Sequence, residues 1–299
     1  MPIVELSNPA QQSRAFGKTE AMTPRLLSES EIAAADTSRI HSFNFCGLHV
    51  STVGPARAVK WVHEHLMRFG TTSPVAIVNL NAQVVNEAIR NTQLRDALNK
   101  AHLVCADGMS VVWGGKLLGC PQLEPLPGEE LMDYLCAAGD ARGDSIFLLG
   151  AMPGVAELAA AKLKEQYPGL RIAGVASPPV GFERDRVELD RIREQLKAAA
   201  PMLLFVGFGA PKQEIWMRDE LPGLPVGAAL AVGAAIDTRA GLRKASPIWM
   251  KRRGIAWIYR LVHEPRRLWR RYLFGNSRFV ATVMAAWLTQ RLERFQLNN

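Results

Sequence analysis

Met202-Leu203-Leu204-Phe205-Val206-Gly207-Phe208-Gly209-Ala210-Pro211-Lys212-Gln213-Glu214 (MLLFVGFGAPKQE) is the stretch whose reading decides the fold. Its first half is an almost wholly apolar run of strand length. A strand that is apolar on both sides is covered on both faces, the condition of a parallel sheet packed between helices. Its second half turns through two glycines and then opens a helix at Lys212-Gln213-Glu214. Glycines let a backbone approach a ligand, and the first amides of a helix favour anions, so this turn is read as nucleotide-binding. A purely structural turn is the alternative. The spacing is neither G-x-G-x-x-G nor a Walker loop, so neither dinucleotide nor P-loop chemistry follows.

Outward from this stretch, apolar runs alternate with helical patterns. Strands are predicted at 48–50, 74–79, 103–106, 145–150 and 170–175, with 226–233 closing the sheet. Helices are predicted over 55–69, 83–99 and 153–167. The expected fold class is α/β, a Rossmann-like parallel sheet flanked by helices. Ligands bind such sheets at the carboxyl ends of the strands. There the chain places Asn79-Leu80-Asn81, Asp107-Gly108, Gly150-Ala151 and the Gly207–Glu214 turn.

The net charge of +8 is unevenly placed. From Lys251 to Arg294 eleven basic residues face two acids, Glu264 and Glu293, an excess of nine that leaves the rest of the chain near −1. Tryptophan and arginine interleave in this segment, which is predicted to form helices over 248–263, 266–273 and 277–294, broken at Pro265. An amphipathic basic appendage suits an anionic membrane surface, with arginines reaching the headgroups. Aromatics among arginines could also stack bases, but the apolar face beside them favours lipid, and no nucleic acid is expected. The predicted organisation is a disordered tail over 1–40, a core over 41–245 and the appendage over 246–299. No apolar run is long enough to cross a membrane.

Asp107 follows a short strand at the expected rim. It is read either as a general base for an acceptor hydroxyl or as the cap of a helix beginning near Ser110. Asp237 faces the same choice, and there the structural role is favoured. The four cysteines, Cys46, Cys105, Cys120 and Cys136, form no C-x-x-C pair and are read as buried reduced thiols. No histidine has metal-ligand spacing and no D-x-D pair occurs, so neither a metal nor any other cofactor is expected. Arginines are then the groups available to neutralise a diphosphate, and the helix-like spacing of Arg260, Arg267 and Arg270 brings these three forward.

Together these residues resemble the WecG/TagA/CpsF glycosyltransferases, glycosyltransferase family 26. The matching stretches are Asn79–Gln83, Ala106–Met109 with Trp113, Pro127–Leu131, Phe147–Gly150, Pro179–Phe182, Gly207–Glu214, Val232–Asp237 and, most specifically, Pro247–Tyr272. The resemblance implies inverting, metal-independent transfer of a sugar from a UDP-sugar to a sugar on a polyprenyl diphosphate carrier. It implies Asp107 as the base, Arg260, Arg267 and Arg270 as diphosphate stabilisers, and Asn79, Asn81, Gly207, Gly209, Lys212 and Gln213 as substrate-binding residues. A cytoplasmic protein held peripherally at the inner face of the cell membrane follows. Self-association through the appendage is left open.

Two positions depart from the family's pattern. Asn79 stands where threonine is common, and Pro125 where an arginine often follows the glutamate matching Glu124. Both are read as signs of a different sugar, with a mild preference for exopolysaccharide synthesis. The alternative function is a non-catalytic nucleotide-binding protein with a membrane- or nucleic-acid-binding basic tail. At matched salt the protein is expected to float with anionic liposomes and to leave single-stranded DNA unshifted in an electrophoretic assay; the opposite pattern would favour that alternative.

Overall fold

The computed structural model describes residues 26–297 except 39, 244–245, 248, 251–252 and 264. Within the last two helices some residues, among them 260, 267 and 270, are described by their backbone alone. The described chain begins with α1 (Glu29–Ala34), a turn and a half of helix within the stretch predicted to be a disordered tail. Ser28 caps it in a reciprocal box with Glu31, and Lys60 Nζ donates to Ala33 O and Ala35 O just beyond. Residues 1–25 of that predicted tail lie outside the described residues.

A small antiparallel hairpin follows, β1 (Ser42–Phe45) and β2 (Leu48–Ser51). The strand expected at 48–50 is therefore real but stands outside the main sheet. The reason is the turn: Cys46 and Gly47 both take positive φ, 54° and 83°, the backbone of a two-residue hairpin. Asn44 Oδ1 holds the Gly47 N–H at 2.8 Å. Helix α2 (Pro55–Phe69) matches its predicted limits, with proline in the first turn, where its missing N–H removes no helical bond.

The remaining strands are β3 (Val75–Leu80), β4 (Leu103–Ala106), β5 (Ser145–Gly150), β6 (Arg171–Ala176), β7 (Leu203–Gly207) and β8 (Ala228–Ala231). They form one sheet in the order β4-β3-β8-β7-β5-β6, every pair parallel. The sequence expectation that 226–233 closes the sheet is corrected: β8 lies in its middle, between β3 and β7. An apolar run signals burial on both faces but carries no information on strand order. The small side chains of Ala228, Ala229 and Ala231 suit a strand enclosed on all sides.

Helices cover both faces. In chain order these are α3 (Ala82–Ala88), α4 (Thr92–Lys100), α5 (Met109–Leu117), α6 (Gly128–Asp140), α7 (Val155–Gln166), α8 (Arg186–Ala199), α9 (Lys212–Glu220) and α10 (Ala235–Arg239). The single helix predicted over 83–99 is split, because Asn91 leaves the helix and caps α4 by accepting from the Leu94 N–H. Two apolar clusters result, one on each face of the sheet. Of the four cysteines three are buried and Cys46 is half-buried, and none is in a disulfide. Burial pushes the Cys46 thiol up to about 11 and the Cys105 thiol up to about 12, as expected of inert thiols.

The appendage comprises α11 (Ala256–His263) and α12 (Pro265–Leu297). The two helices expected after Pro265 are one continuous helix of 33 residues. Pro265 starts it, and Gly275 inside it is braced by Asn86 Nδ2, which donates to Gly275 O at 2.7 Å. Phe279 and Val283 of α12 are buried, Phe279 stacking on Phe45 of the hairpin at 6.1 Å between ring centres. A Cβ at Gly114 of α5 would stand 3.0 Å from Phe45 and 3.3 Å from Val283, so the helices meet where there is no side chain. No helix among the described residues is long and apolar enough to cross a membrane. Phe279→Ala is expected to destabilise the protein by about 3 kcal/mol in urea unfolding, and to speed tryptic cleavage at the arginines between 266 and 278 as α12 loosens.

Candidate functional site

Because the strands are buried on both faces, polar side chains gather at their carboxyl ends, and the ends of β4, β3, β8 and β7 lie side by side. Asn79, near the end of β3, is buried, and its Nδ2 donates to Ala231 O at the end of β8 at 2.6 Å. Its Oδ1 is buried without a hydrogen-bond partner. Gly128, at the start of α6, is the residue that makes room for it: a Cβ there would stand 2.3 Å from Asn79 Nδ2.

Asn81 caps α3, its Oδ1 accepting from the Gln83 and Val84 N–H groups at 3.1 Å. Its Nδ2 donates to Asp107 Oδ2 at 3.3 Å. Asp107 extends β4, its N–H donating to Leu80 O at 2.8 Å. The capping role considered for Asp107 is not taken: the residue at the start of α5 is Gly108, with φ 96° and no side-chain cap. The Asp107 carboxylate is therefore half-buried on the rim, oriented by one asparagine. Pro125 forms an isolated bridge with Ala106, one residue before Asp107, so the second departure from the family's pattern also lies at this rim.

The turn after β7 is built differently from a ligand-facing amide cradle. Gly209 and Gly233, in the loops after β7 and β8, take φ 78° and 52° and aim their N–H groups at one acceptor, Gln213 Oε1, each at 3.1 Å. Gln213 Nε2 donates to Glu214 Oε1 at 2.8 Å. Gln213 is thus buried and engaged at both ends, holding two loops together. Lys212 is partly exposed, with its Nζ 2.8 Å from Glu183 Oε1. The Lys212 ammonium holds the Glu183 carboxyl below its ordinary range.

Gly207, Phe208 and Gly209 border an open cavity of about 320 Å³ completed by Gly233, Ala234, Asp237 and Arg243. Asp237, favoured from sequence as structural, therefore faces the same cavity as the glycine turn. Nothing in its local pattern distinguished the two roles, because the closeness of the β7 and β8 loops is set by strand order. Two residues further along, Arg239 pairs with Asp133, which is 1% exposed, and approaches Glu129 at 3.9 Å. This buried pair pins α10 to α6 and fixes where Asp237 stands.

The appendage reaches the same end of the molecule. A Cβ at Gly254 would stand 2.5 Å from Trp113 and 2.9 Å from Met109, so the backbone there lies directly on α5, the helix that follows Asp107. Arg260 falls in α11 and Arg267 and Arg270 in α12, but their side chains lie outside the described part of the structure. The structure brings Asn79, Asn81 and Asp107 together, and separately Gly207, Gly209, Lys212 and Gln213. The two groups share a rim through the Asn79–Ala231 hydrogen bond.

A parallel sheet flanked by helices in this way defines a Rossmann-like α/β protein, a class that binds ligands at the carboxyl ends of its strands. Residues 43–293 match the Glycosyl transferase WecG/TagA/CpsF family, and the chain belongs to that family. The N-acetylglucosaminyldiphosphoundecaprenol N-acetyl-beta-D-mannosaminyltransferase of Bacillus spizizenii is 30% identical over 208 residues, 70% of this chain and 78% of its own length. The protein of the same name from Staphylococcus aureus is 29% identical over 202 residues, 67% of this chain and 76% of its own.

Glu214, absent from the sequence-based site, is the rim's one strongly perturbed acid among the described residues. Burial pushes its carboxyl up to about 7, with the Gln213 hydrogen bond acting in the opposite direction. An acid with a raised folded pKa keeps its proton in the native state after the unfolded chain has released it. Its contribution to stability is therefore intact below the unfolded value of 4.5 and lost as pH rises toward about 7. Glu214→Gln removes this titration. Relative to wild type its unfolding free energy is expected to rise by up to about 3 kcal/mol between pH ~4.5 and pH ~8, read from urea denaturation at both.

Proposed function

We propose that the protein is an inverting, metal-independent glycosyltransferase that moves a hexose, N-acetylhexosamine or uronic acid from a UDP-sugar to a sugar on undecaprenyl diphosphate, in bacterial exopolysaccharide or cell-envelope polysaccharide synthesis. The observation that carries this is the Asp107 carboxylate: it stands on the rim, is oriented by Asn81 and is not engaged in capping. Family membership supplies the reaction class. The names of the two relatives describe transfer of an N-acetylmannosaminyl group to N-acetylglucosaminyldiphosphoundecaprenol, which makes that donor and acceptor the first pair to test.

In the proposed step an acceptor hydroxyl oxygen attacks the donor's anomeric carbon as Asp107 takes its proton. The bond from that carbon to the UDP oxygen breaks, and the diphosphate leaves with the electron pair and with inversion at carbon. Arg260, Arg267 and Arg270 offset the charge that builds on the diphosphate, standing in for a metal ion. The donor's nucleotide would occupy the cavity between the Gly207–Gly209 turn and Asp237. Gln213 would act there by holding the turn, and Lys212 only on leaving Glu183.

The acceptor is a lipid, so the proposed station is the inner face of the cell membrane, with residues 41–245 as core and 246–299 as membrane-facing appendage. The strong basic excess after residue 250 supports this. So does the row Val280, Met284, Leu288 and Leu292, exposed at four-residue spacing along α12.

A panel of UDP-glucose, UDP-N-acetylmannosamine, its uronic acid and UDP-glucuronic acid, with a lipid diphosphate sugar acceptor, tests the assignment through UDP release and product mass. One donor is expected to add its mass to the lipid, unchanged by EDTA. Asp107→Asn is expected to lower kcat about 10²- to 10⁴-fold while UDP binding by calorimetry stays near wild type; near-normal turnover in that variant would remove Asp107 as the base.

A further inference from the structure

We propose that Glu214 is a positioning residue for the donor: its carboxyl fixes the orientation of the Gln213 carboxamide and, through it, the two glycine turns that wall the rim cavity. Gly209 and Gly233 belong to different loops, and both N–H groups converge on Gln213 Oε1 at 3.1 Å. A carboxamide has two ends of nearly the same shape. Flipped, it would set its own donors against two backbone donors, and released, it would leave both N–H groups without this acceptor. The acceptor on its far side selects the working orientation, because Glu214 Oε1 takes the Nε2 hydrogen at 2.8 Å.

The loops tolerate little change in spacing. A Cβ at Gly207 would stand 2.7 Å from Ile236 Cδ1 and 3.0 Å from Gly233 O. Gly207, Gly209 and Gly233 all border the cavity that also presents Asp237 and Arg243. Small displacements of the Gln213 bridge therefore move the cavity wall.

The carboxyl is kept at a position that disfavours it. Glu214 is 2% exposed and its Oε2 is buried without a partner; the residue borders a separate cavity of about 420 Å³ lined by Ala97, Met217 and Leu221 and also by Lys100, His102 and Arg218. A leucine would fill this place with no desolvation penalty. A buried acid with one oxygen unmatched and the other on Gln213 fits a group retained for that hydrogen bond.

Two arms test this on the full-length protein, the kinetic arm resting on the glycosyltransferase reading above and the exchange arm independent of it. Glu214→Leu removes the acceptor with little change of volume, and Glu214→Gln keeps an oxygen that can accept from Gln213 Nε2. In the substrate-free protein, Glu214→Leu is expected to speed amide hydrogen exchange at Gly209 and Gly233 about tenfold, with Glu214→Gln near wild type. In turnover, Glu214→Leu is expected to raise the donor KM about tenfold with acceptor KM and kcat changed less than about threefold, and Glu214→Gln to restore the donor KM to within about twofold. Adding Gln213→Met to Glu214→Leu is expected to cause little further loss in either arm.

A folded Glu214→Leu protein with unchanged exchange at both glycines overturns the proposal, and so does a Glu214→Gln protein as impaired as Glu214→Leu. If Glu214→Leu does not fold, Glu214→Met takes its place with the same expected outcomes. Should wild type transfer no sugar from any donor, the function assigned above fails, while the exchange arm still decides whether Glu214 holds the bridge.

Discussion

Burial of the sheet on both faces is the constraint from which the rest of this structure follows. Strands such as β4, β5 and β8 are buried along their whole length, so they offer no place for a reacting group. Polar side chains appear where the strands stop. Asn79 and Asn81, Asp107, the Gly207–Gly209 turn and Asp237 all lie at those ends, in four neighbouring strands and the loops beyond them. The rim is thus a consequence of a sheet that admits polar chemistry only at its edge.

The second consequence is a dependence on close approach. Gly128 yields space to Asn79, Gly207 to the β8 loop, Gly114 to Phe45 and Val283, and Gly254 to Trp113. Each contact brings together segments far apart in the chain. The last two dock the appendage on α5, the helix that begins two residues after Asp107. The Phe45–Phe279 stack adds an apolar anchor to this seat of the basic segment.

Polar wiring then sets positions within the rim. Asn81 links the start of α3 to Asp107, Asn79 links β3 to β8, and Gln213 links the β7 and β8 loops. Asn79 and Gln213 reach backbone groups of neighbouring segments, whereas Asn81 reaches the Asp107 carboxylate itself. The two departures from the family's usual residues, Asn79 and Pro125, sit within this wiring, on either side of Asp107's neighbourhood. Under the proposed function, these two positions are where a change of substrate sugar would act, with Asp107 and the glycine turn left in place.

The sequence by itself determined the fold class, the limits of α2, β4 and β5, the concentration of charge after residue 250 and the presence of Asp107 at a strand end. These are local properties: an apolar run, a helical period or a charge count is complete within its own segment. Only the tertiary structure decided that β8 lies between β3 and β7, that the 48–50 strand belongs to a hairpin, and that α12 runs unbroken past Gly275. It alone gave Gln213 a bridging role, brought Asp237 to the cavity and buried Glu214 against the Gln213 side chain. Those outcomes depend on which segments become neighbours, and that is set by burial summed over the whole chain rather than by the pattern of any one stretch.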